Sequence, residues 1–326
     1  MLRNVILFDN KHCHNYNDGK SKDNNKTNSM KKCGYVAIIG RPNVGKSTLL
    51  NHILKYKLSI TSRKPQTTRH QITGIKTIKD TQFIYVDTPG LHQDEPRAIN
   101  RMMNKQASSV INDVDVILFV VEVGKWTTAE DWILQKLESV KMPVILVINK
   151  VDQLNDRHAA MAFEREIIQK HDFAATFMVS AKQGHLINEL EAKIETCLPQ
   201  SEHFFYAEDQ ITDRSERFMM AEIIREKLMR TLGQEVPYQL TVEINKCKLD
   251  ESKQIMDVYA TILVERSGQK AMVIGEKGQK LKKIGSEARH DMEFMLGKKV
   301  FLQLWVKVKE GWSDDDRALK SLGYDL

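Results

Sequence analysis

One stretch restricts this chain more than any other: Gly40-Arg-Pro-Asn-Val-Gly45-Lys46-Ser47, set between an apolar run at residues 35–39 and a helically spaced run at 46–55. Glycines at both ends let a loop turn tightly enough for successive backbone N–H groups to surround phosphate oxygens at the positive start of a helix. In such a loop the Lys46 ammonium neutralises the β and γ phosphates of a nucleotide. The Ser47 hydroxyl ligates Mg2+, and Asn43, Val44 and Thr48 complete the loop. A strand that ends at this loop and a helix that begins there commit the first part of the chain to an α/β fold.

Further strand-length runs at 82–87, 115–121, 143–149 and 174–180 alternate with helical patterns at 98–111, 129–140, 157–170 and 186–198. That alternation predicts a mostly parallel sheet covered on both faces. Residues 70–78 precede 82–87 after a short turn, so this pair is expected as one antiparallel hairpin at the sheet edge. After Pro199 the rhythm changes. A polar connector at 201–212 leads to a long helix at 213–232, with Thr212 or Asp213 as its cap and Gly233 as its stop. Strands at 238–244 and 255–265, a helix–Gly–helix unit at 269–296 and a strand at 299–308 then predict a separate α+β module. The expected domains are residues 33–200, a linker at 201–212, and 213–326.

Two motifs behind the phosphate loop select the base. Asn149-Lys150-Val151-Asp152 follows a strand, where the Asp152 carboxylate can accept bidentate hydrogen bonds from guanine N1–H and the exocyclic amine. Adenine lacks that donor pair and would leave the carboxylate unpaired. Asn149 and Lys150 brace the base, and Ser180-Ala181-Lys182 supplies a second guanine-side loop. Asp87-Thr88-Pro89-Gly90 ends the 82–87 strand, so Asp87 is expected to hold Mg2+ through water and the Gly90 amide to sense the γ-phosphate. Thr68, ahead of Thr67, is the expected hydroxyl that completes the metal shell while γ-phosphate is present. Lys46, Thr68 and Gly90 are therefore the candidate catalytic groups, and the loops bearing Thr68 and Gly90 are the candidate switches, ordered by GTP and released after hydrolysis to GDP.

In the second module, Val-Ile-Gly275-Glu276-Lys277-Gly278 followed by Gln-Lys280-Leu-Lys282-Lys283 places a G-x-x-G loop between two helical stretches. A loop without Cβ atoms lets a nucleic-acid backbone approach, and the lysines hold its phosphates. The order helix, strand, strand, helix–GxxG–helix, strand is that of a type II KH domain. Of the C-terminal aromatics, Trp305, Trp312 and Tyr324 are candidates for base stacking, but Trp305 reads first as strand core beside Leu302, Leu304, Val306 and Val308. Asp314, Asp315 and Asp316 read as a helix start and solvated turn.

The phosphate loop, Gln66-Thr-Thr-Arg-His70, residues 87–92 and 149–152, Ile211-Thr-Asp-Arg-Ser-Glu-Arg-Phe, and Leu304-Trp-Val-Lys-Val-Lys-Glu-Gly-Trp312 resemble the Era family of ribosome-assembly GTPases. The likeness runs from about Cys33 to the C-terminus. It implies binding near the 3′ end of 16S rRNA, action on the 30S subunit in rRNA maturation, a monomer, and peripheral association with the inner membrane. Leu91 stands where Ras-like enzymes carry the glutamine that orients the attacking water, so turnover is expected to be slow. Asn43 resembles the asparagine that coordinates K+ in related GTPases with a hydrophobic residue at that position, which implies K+ as a further cofactor.

Composition adds exclusions. The net charge of +6 is compatible with a polyanionic partner without identifying one. No run of about 18 apolar residues occurs. The four cysteines are scattered, with no CxxC pair, so neither a zinc site nor a disulfide framework is indicated and the reducing cytoplasm is the expected compartment. Residues 1–32 are polar, rich in Asn and Lys and without periodicity, and are expected to be disordered. Their adjacent His12, Cys13 and His14 are a weak metal motif, and Met30 is an alternative start. Two other functions compete with an RNA-linked switch: a GTPase acting on a protein or membrane partner, and an RNA-binding module with a degenerate nucleotide site. Intact Lys46, Ser47, Asp87 and Asp152 oppose the last.

Overall fold

The computed structural model describes residues 30–62, 64, 67–91, 98–154, 156–233 and 239–321. His12, Cys13, His14, Gln66, His92 and Tyr324 lie outside the described residues. The elements run β1 (Lys31–Ile39), α1 (Lys46–Leu54), β2 (Ile72–Ile78), β3 (Thr81–Asp87), α2 (Ala98–Asn112), β4 (Val116–Glu122), α3 (Thr128–Leu137), β5 (Val144–Asn149), α4 (Arg157–Ile167), β6 (Ala175–Met178), α5 (Ile187–Cys197) and β7 (Gln200–Ser201). They continue through α6 (Glu216–Thr231), β8 (Leu240–Asp250), β9 (Ile255–Val264), α7 (Ser267–Ile274), α8 (Gln279–Leu296), β10 (Lys299–Val308) and α9 (Asp316–Ser321).

The first sheet has the order β2-β3-β1-β4-β5-β6, with β7 paired to β1. β1, β3, β4, β5 and β6 are parallel, β2 is the antiparallel edge, and β7 pairs antiparallel with β1. Central strands are apolar along their whole length because both faces are covered: β4 and β5 are buried at every position. On one face Leu49, Leu50 and Ile53 of α1 and Leu190 and Ile194 of α5 meet Val36, Ile38 and Val120. On the other, Val110, Ile133, Leu137 and Ile167 meet Ala37, Phe119 and Ile148.

The second sheet has the order β10-β9-β8, with β9 antiparallel to β8 and parallel to β10. One of its faces packs under α6, α7 and α8 through Ile224, Leu228, Val273, Ile284, Ala288 and Met292. The sequence α6-β8-β9-α7-α8-β10 is the type II KH arrangement, so the chain joins a P-loop α/β domain to an α+β KH domain.

Several expectations are corrected here. Lys31 and Lys32, expected in the polar extension, open β1 and pair with β7, because an unpaired strand edge beside them offers backbone partners. The long helix starts at Glu216 rather than Asp213, capped by Ser215, whose Oγ accepts from the Phe218 N–H at 3.3 Å. Thr212 is engaged elsewhere: its hydroxyl donates to Thr73 O at 2.7 Å. The connector at 201–212 is likewise held, since Gln82 Oε1 accepts from the Phe205 and Tyr206 N–H groups and Ile211 O accepts from Ile75 N–H at 2.7 Å. Trp305, expected in the core, is 40% exposed, whereas Trp312, a stacking candidate, is fully buried against Ala98, Ile99 and Met102 of α2. Odd-numbered residues of β10 face away from the helices, which is why Trp305 misses the core that Val300 and Val306 enter.

Candidate functional site

Parallel strands deliver their following loops to one end of the sheet, and there a cleft of about 1100 Å3 opens. Asn43, Gly45, Lys46, Ser47 and Thr48 line it from the β1–α1 loop, Thr68 and Gly90 from the loops beside β2 and β3, and Asn149, Lys150, Asp152, Ala181 and Lys182 from those after β5 and β6. Val44 and Asp87 lie beneath its wall, both fully buried, and Ser180 is buried beside Asp152.

The glycines of the loop are there for space as well as for turning. Gly40 has φ +149° and a Cβ on it would lie 2.3 Å from Val120 O; Gly45 has φ +104° and a Cβ there would lie 2.2 Å from Asn149 Nδ2. Lys46 is buried, and its ammonium donates to Gly40 O at 2.9 Å and Arg41 O at 3.0 Å. Burial pulls its pKa down to about 8, opposed by Asp87 and reinforced by Arg41. A cation held this far from water is in want of an anion, and phosphate supplies one.

Beside it, Ser47 Oγ donates to Asp87 Oδ2 at 2.7 Å and lies 2.8 Å from Thr68 Oγ1. Burial raises the Asp87 carboxyl above its ordinary range, while Lys46 and the hydroxyls of Ser47, Ser59 and Thr68 oppose the shift. Its Oδ1 is buried without a well-formed hydrogen bond. Two hydroxyls and a carboxylate with an unsatisfied oxygen are hard donors that suit Mg2+, and among the described residues no group of three His, Cys, Asp or Glu could cage a metal unaided. Mg2+ would therefore be held by these side chains jointly with phosphate oxygens and water. Thr67 turns away, its hydroxyl donating to Lys64 O at 2.6 Å.

On the base side, Asn149 joins two loops: its Nδ2 donates to Val44 O at 2.8 Å and its Oδ1 accepts from Ala181 N–H at 2.9 Å. Ser180 Oγ donates to Asp152 Oδ1 at 2.6 Å, which orients an otherwise exposed carboxylate. Lys150, at φ +68°, donates to Glu122 Oε2 at 2.8 Å. Sequence reasoning does not single out Glu122, although a charge ending the apolar run of β4 is its signal. Burial pushes its carboxyl up, but hydrogen bonds from Lys125 and Lys150 hold it below the usual range.

Further residues missed by sequence reasoning come from the second module and from the first-module loop it contacts. Arg230 and Met229 of α6 line the same cleft. Arg225 donates to Thr67 O, Arg69 donates to Leu240 O at 2.7 Å, Lys64 donates to Leu232 O, and Thr61 N–H donates to Glu226 Oε1 at 3.1 Å. The loop that carries Thr68 is thus hooked onto α6 and β8 at several points, a pairing with no local signature.

None of the G-x-x-G residues lines this cleft. Gly275 (φ +71°) and Gly278 (φ +76°) bracket Glu276 and Lys277 between α7 and α8. A Cβ on Gly275 would meet Lys280 Cβ at 2.6 Å, whereas one on Gly278 would meet open space, so the second glycine leaves an approach to the backbone. Lys277, Lys282 and Lys283 are exposed and Lys280 is half-buried.

The chain resembles known proteins over nearly its whole length. Residues 35–150 match the family model described as 50S ribosome-binding GTPase, and residues 235–313 match that of the KH domain. GTPase Era of Marinobacter nauticus is 58% identical over 296 residues, covering 91% of this chain and 96% of that protein. GTPase Era of Pseudomonas entomophila is 54% identical, covering 91% and 98%. Among solved structures, Era in complex with MgGDPNP and nucleotides 1506–1542 of 16S ribosomal RNA has a TM-score of 0.88 at 38% identity, covering 91% of this chain and all of that one. A single-residue variant of Aquifex aeolicus Era bound to GDP.AlF4- has a TM-score of 0.87 at 37% identity, covering 90% of this chain and all of that one.

Proposed function

The chain belongs to the Era family of GTPases, and from that premise we propose that it binds 16S rRNA near its 3′ end and uses GTP hydrolysis to time a step of 30S subunit assembly and rRNA maturation. The observation that carries this reading is the sharing of one loop by two modules. Thr67 O accepts from Arg225 of the KH helix α6, while the adjacent Thr68 hydroxyl sits beside Ser47 of the phosphate loop. A change at the phosphates that moves Thr68 must therefore pull on the RNA-binding module, and RNA that moves α6 must pull on Thr68.

In this reading the Lys46 ammonium and the amides of residues 43–48 bind the β and γ phosphates, and the Gly90 amide reports the γ-phosphate. Gly90 is suited to it, since a Cβ there would lie 2.7 Å from Pro42. Ser47, Thr68 and Asp87 hold Mg2+, which when bound neutralises charge developing on the transferred phosphoryl group. Asp152, oriented by Ser180, reads the guanine edge, with Lys150 against the base and Asn149 keeping the phosphate and base loops in register. Leu91 is buried in the core beneath α2 and carries no group that could orient water, so intrinsic hydrolysis is slow. Asn43, at φ +66°, is the candidate K+ ligand. Turnover is expected to be several-fold faster in KCl than in NaCl of equal ionic strength, a difference that Asn43→Ala removes; equal rates in the two salts would discard K+.

We place this activity in the cytoplasm, in a monomer, with peripheral contact at the inner membrane, a reading supported by family membership alone. Among the described residues no helix is long and apolar enough to cross a membrane. The test of the main proposal is affinity for a 16S rRNA 3′-end oligonucleotide and a scrambled one, in the GDP and non-hydrolysable GTP states. Tight, sequence-selective binding only with the GTP analogue is expected. Binding indifferent to both sequence and nucleotide would overturn the coupled assembly switch.

A further inference from the structure

The KH sheet has two faces, and only one is covered. Val300 and Val306 of β10 and Val258, Ala260 and Ile262 of β9 point into the core under the helices that carry the G-x-x-G loop. The alternate residues point the other way, and there Phe301 is 50% exposed and Trp305 is 40% exposed. Tyr259 of β9 lies between them, stacked on Trp305 with ring centroids 5.8 Å apart and 16° between planes, and edge-on to Phe301 at 6.2 Å. Lys246 of β8, paired with Tyr259 in register, sets its ammonium 5.1 Å from the Tyr259 ring centroid. Tyr259 is thus engaged on several sides and braces two rings that still present surface to solvent.

Cross-strand aromatics can stabilise a sheet without touching anything else. Charge is what argues for more here. Lys246, Lys248 and Lys307 flank the rings on the same face, against Asp257 and Glu243, while Lys299 at the start of β10 is drawn to Glu293 of α8 at 3.9 Å; the nearby Asp250 carboxylate is turned into the hairpin, accepting from Ser252 and Lys253. Exposed rings on a sheet ringed by lysines combine base-stacking surface with phosphate attraction, the two requirements for binding single-stranded nucleic acid without sequence preference.

We propose that this open sheet face is a second RNA-binding surface, which stacks unpaired bases of a single-stranded segment on Phe301 and Trp305 while the lysines hold its phosphates. It lies on the side of the sheet opposite the G-x-x-G helices, so one RNA could engage both in succession. It goes beyond the loop-centred reading and does not depend on it.

The test uses the full chain carrying Gly278→Asp, titrated into a short dye-labelled unstructured RNA oligonucleotide and followed by anisotropy, with tryptophan fluorescence as a second readout where Trp305 is present. With the loop disabled, residual salt-sensitive binding that quenches fluorescence is expected. Phe301→Ala with Trp305→Leu in that background should weaken the anisotropy-measured affinity about tenfold or more, and Trp305→Tyr in place of Trp305→Leu should restore most of it. GTP turnover and melting temperature of the sheet variants, in the otherwise unaltered chain, control for folding. Absence of residual binding, or residual binding unmoved by the sheet substitutions, overturns the proposal. So does a result in which they alter only stability, self-association or vesicle binding, since the face would then be a structural brace or serve a protein or lipid. Failure of the loop reading is separately visible, as Gly278→Asp binding RNA as tightly as the parent.

Discussion

At the scale of single residues, the cleft depends on polar side chains that each do two things. Asp152 accepts from Ser180 with one oxygen and leaves the rest of its carboxylate toward the cleft. Asp152→Asn replaces an acceptor by a donor facing guanine N1–H, so GTP affinity is expected to fall roughly 100-fold or more while xanthosine nucleotide gains; nucleotide titration by calorimetry decides, and unchanged GTP affinity removes the guanine assignment. Asn149 links Val44 O to Ala181 N–H, both buried, so Asn149→Ala leaves an acceptor and a donor without partners. A loss of about 2–4 kcal/mol in unfolding free energy is expected from denaturant titration, accompanied by weaker GTP binding. A loss below about 0.5 kcal/mol would mean that water replaces both bonds. Residue identity and order make Asp152 and Asn149 legible in the sequence; their double attachments are not, because Val44 and Ala181 are distant in sequence and contribute backbone atoms that any side chain would supply.

Elements matter where a loop must be open on one side. Gly278 ends the turn between α7 and α8 with free space where a Cβ would go, and Gly275 supplies the close approach to Lys280 that makes the turn tight. Gly278→Asp therefore meets no steric clash but places a carboxylate where phosphates are to pass. RNA affinity is expected to drop by at least about tenfold, with only about 1 kcal/mol lost in stability from the positive φ. Filter binding and thermal melting of the same preparation separate the two, and normal RNA affinity would end the KH reading. Sequence reasoning starts the long helix too early because it takes Thr212 or Asp213 as the cap, both residue types that suit one, and passes over Ser215. The choice falls to Ser215 once the Thr212 hydroxyl is drawn to Thr73 O in β2, a partner that appears only when the first domain is folded.

Across the whole molecule the two modules are joined by buried charge. Glu226 is fully buried and accepts from Lys57 at 2.6 Å, Thr61 N–H at 3.1 Å and Arg230 at 2.9 Å, while Asp291 of α8 accepts from Lys57 and Lys227. Arg225 holds Glu222 and Thr67 O together. Arg225→Ala strands the buried Glu222 and is expected to cost about 3–5 kcal/mol and to weaken the dependence of RNA affinity on nucleotide state. Full stability together with full coupling in that variant would show the contact to be idle. Burial, the largest single effect, raises the Glu222 carboxyl, but Arg225 together with His70 and Arg69 outweighs it and leaves the group below its usual 4.5. Its stabilising contribution is therefore present above pH 4.5 and lost as pH falls through the folded value, so melting temperature should decline more steeply in acid for the parent than for Glu222→Gln. Parallel declines would assign the acid loss to other groups.

Strand and helix periods and the glycine, lysine and carboxylate spacings are local, so the parallel sheet, the KH order and the four cleft loops that follow strands are legible in the residues alone. Burial of Trp312 against α2, exposure of Trp305 and the grip of α6 on the loop bearing Thr68 arise only when distant segments pack together. Arg225 and Thr67 are 158 residues apart, and a contact at that separation leaves no periodicity for the sequence to display.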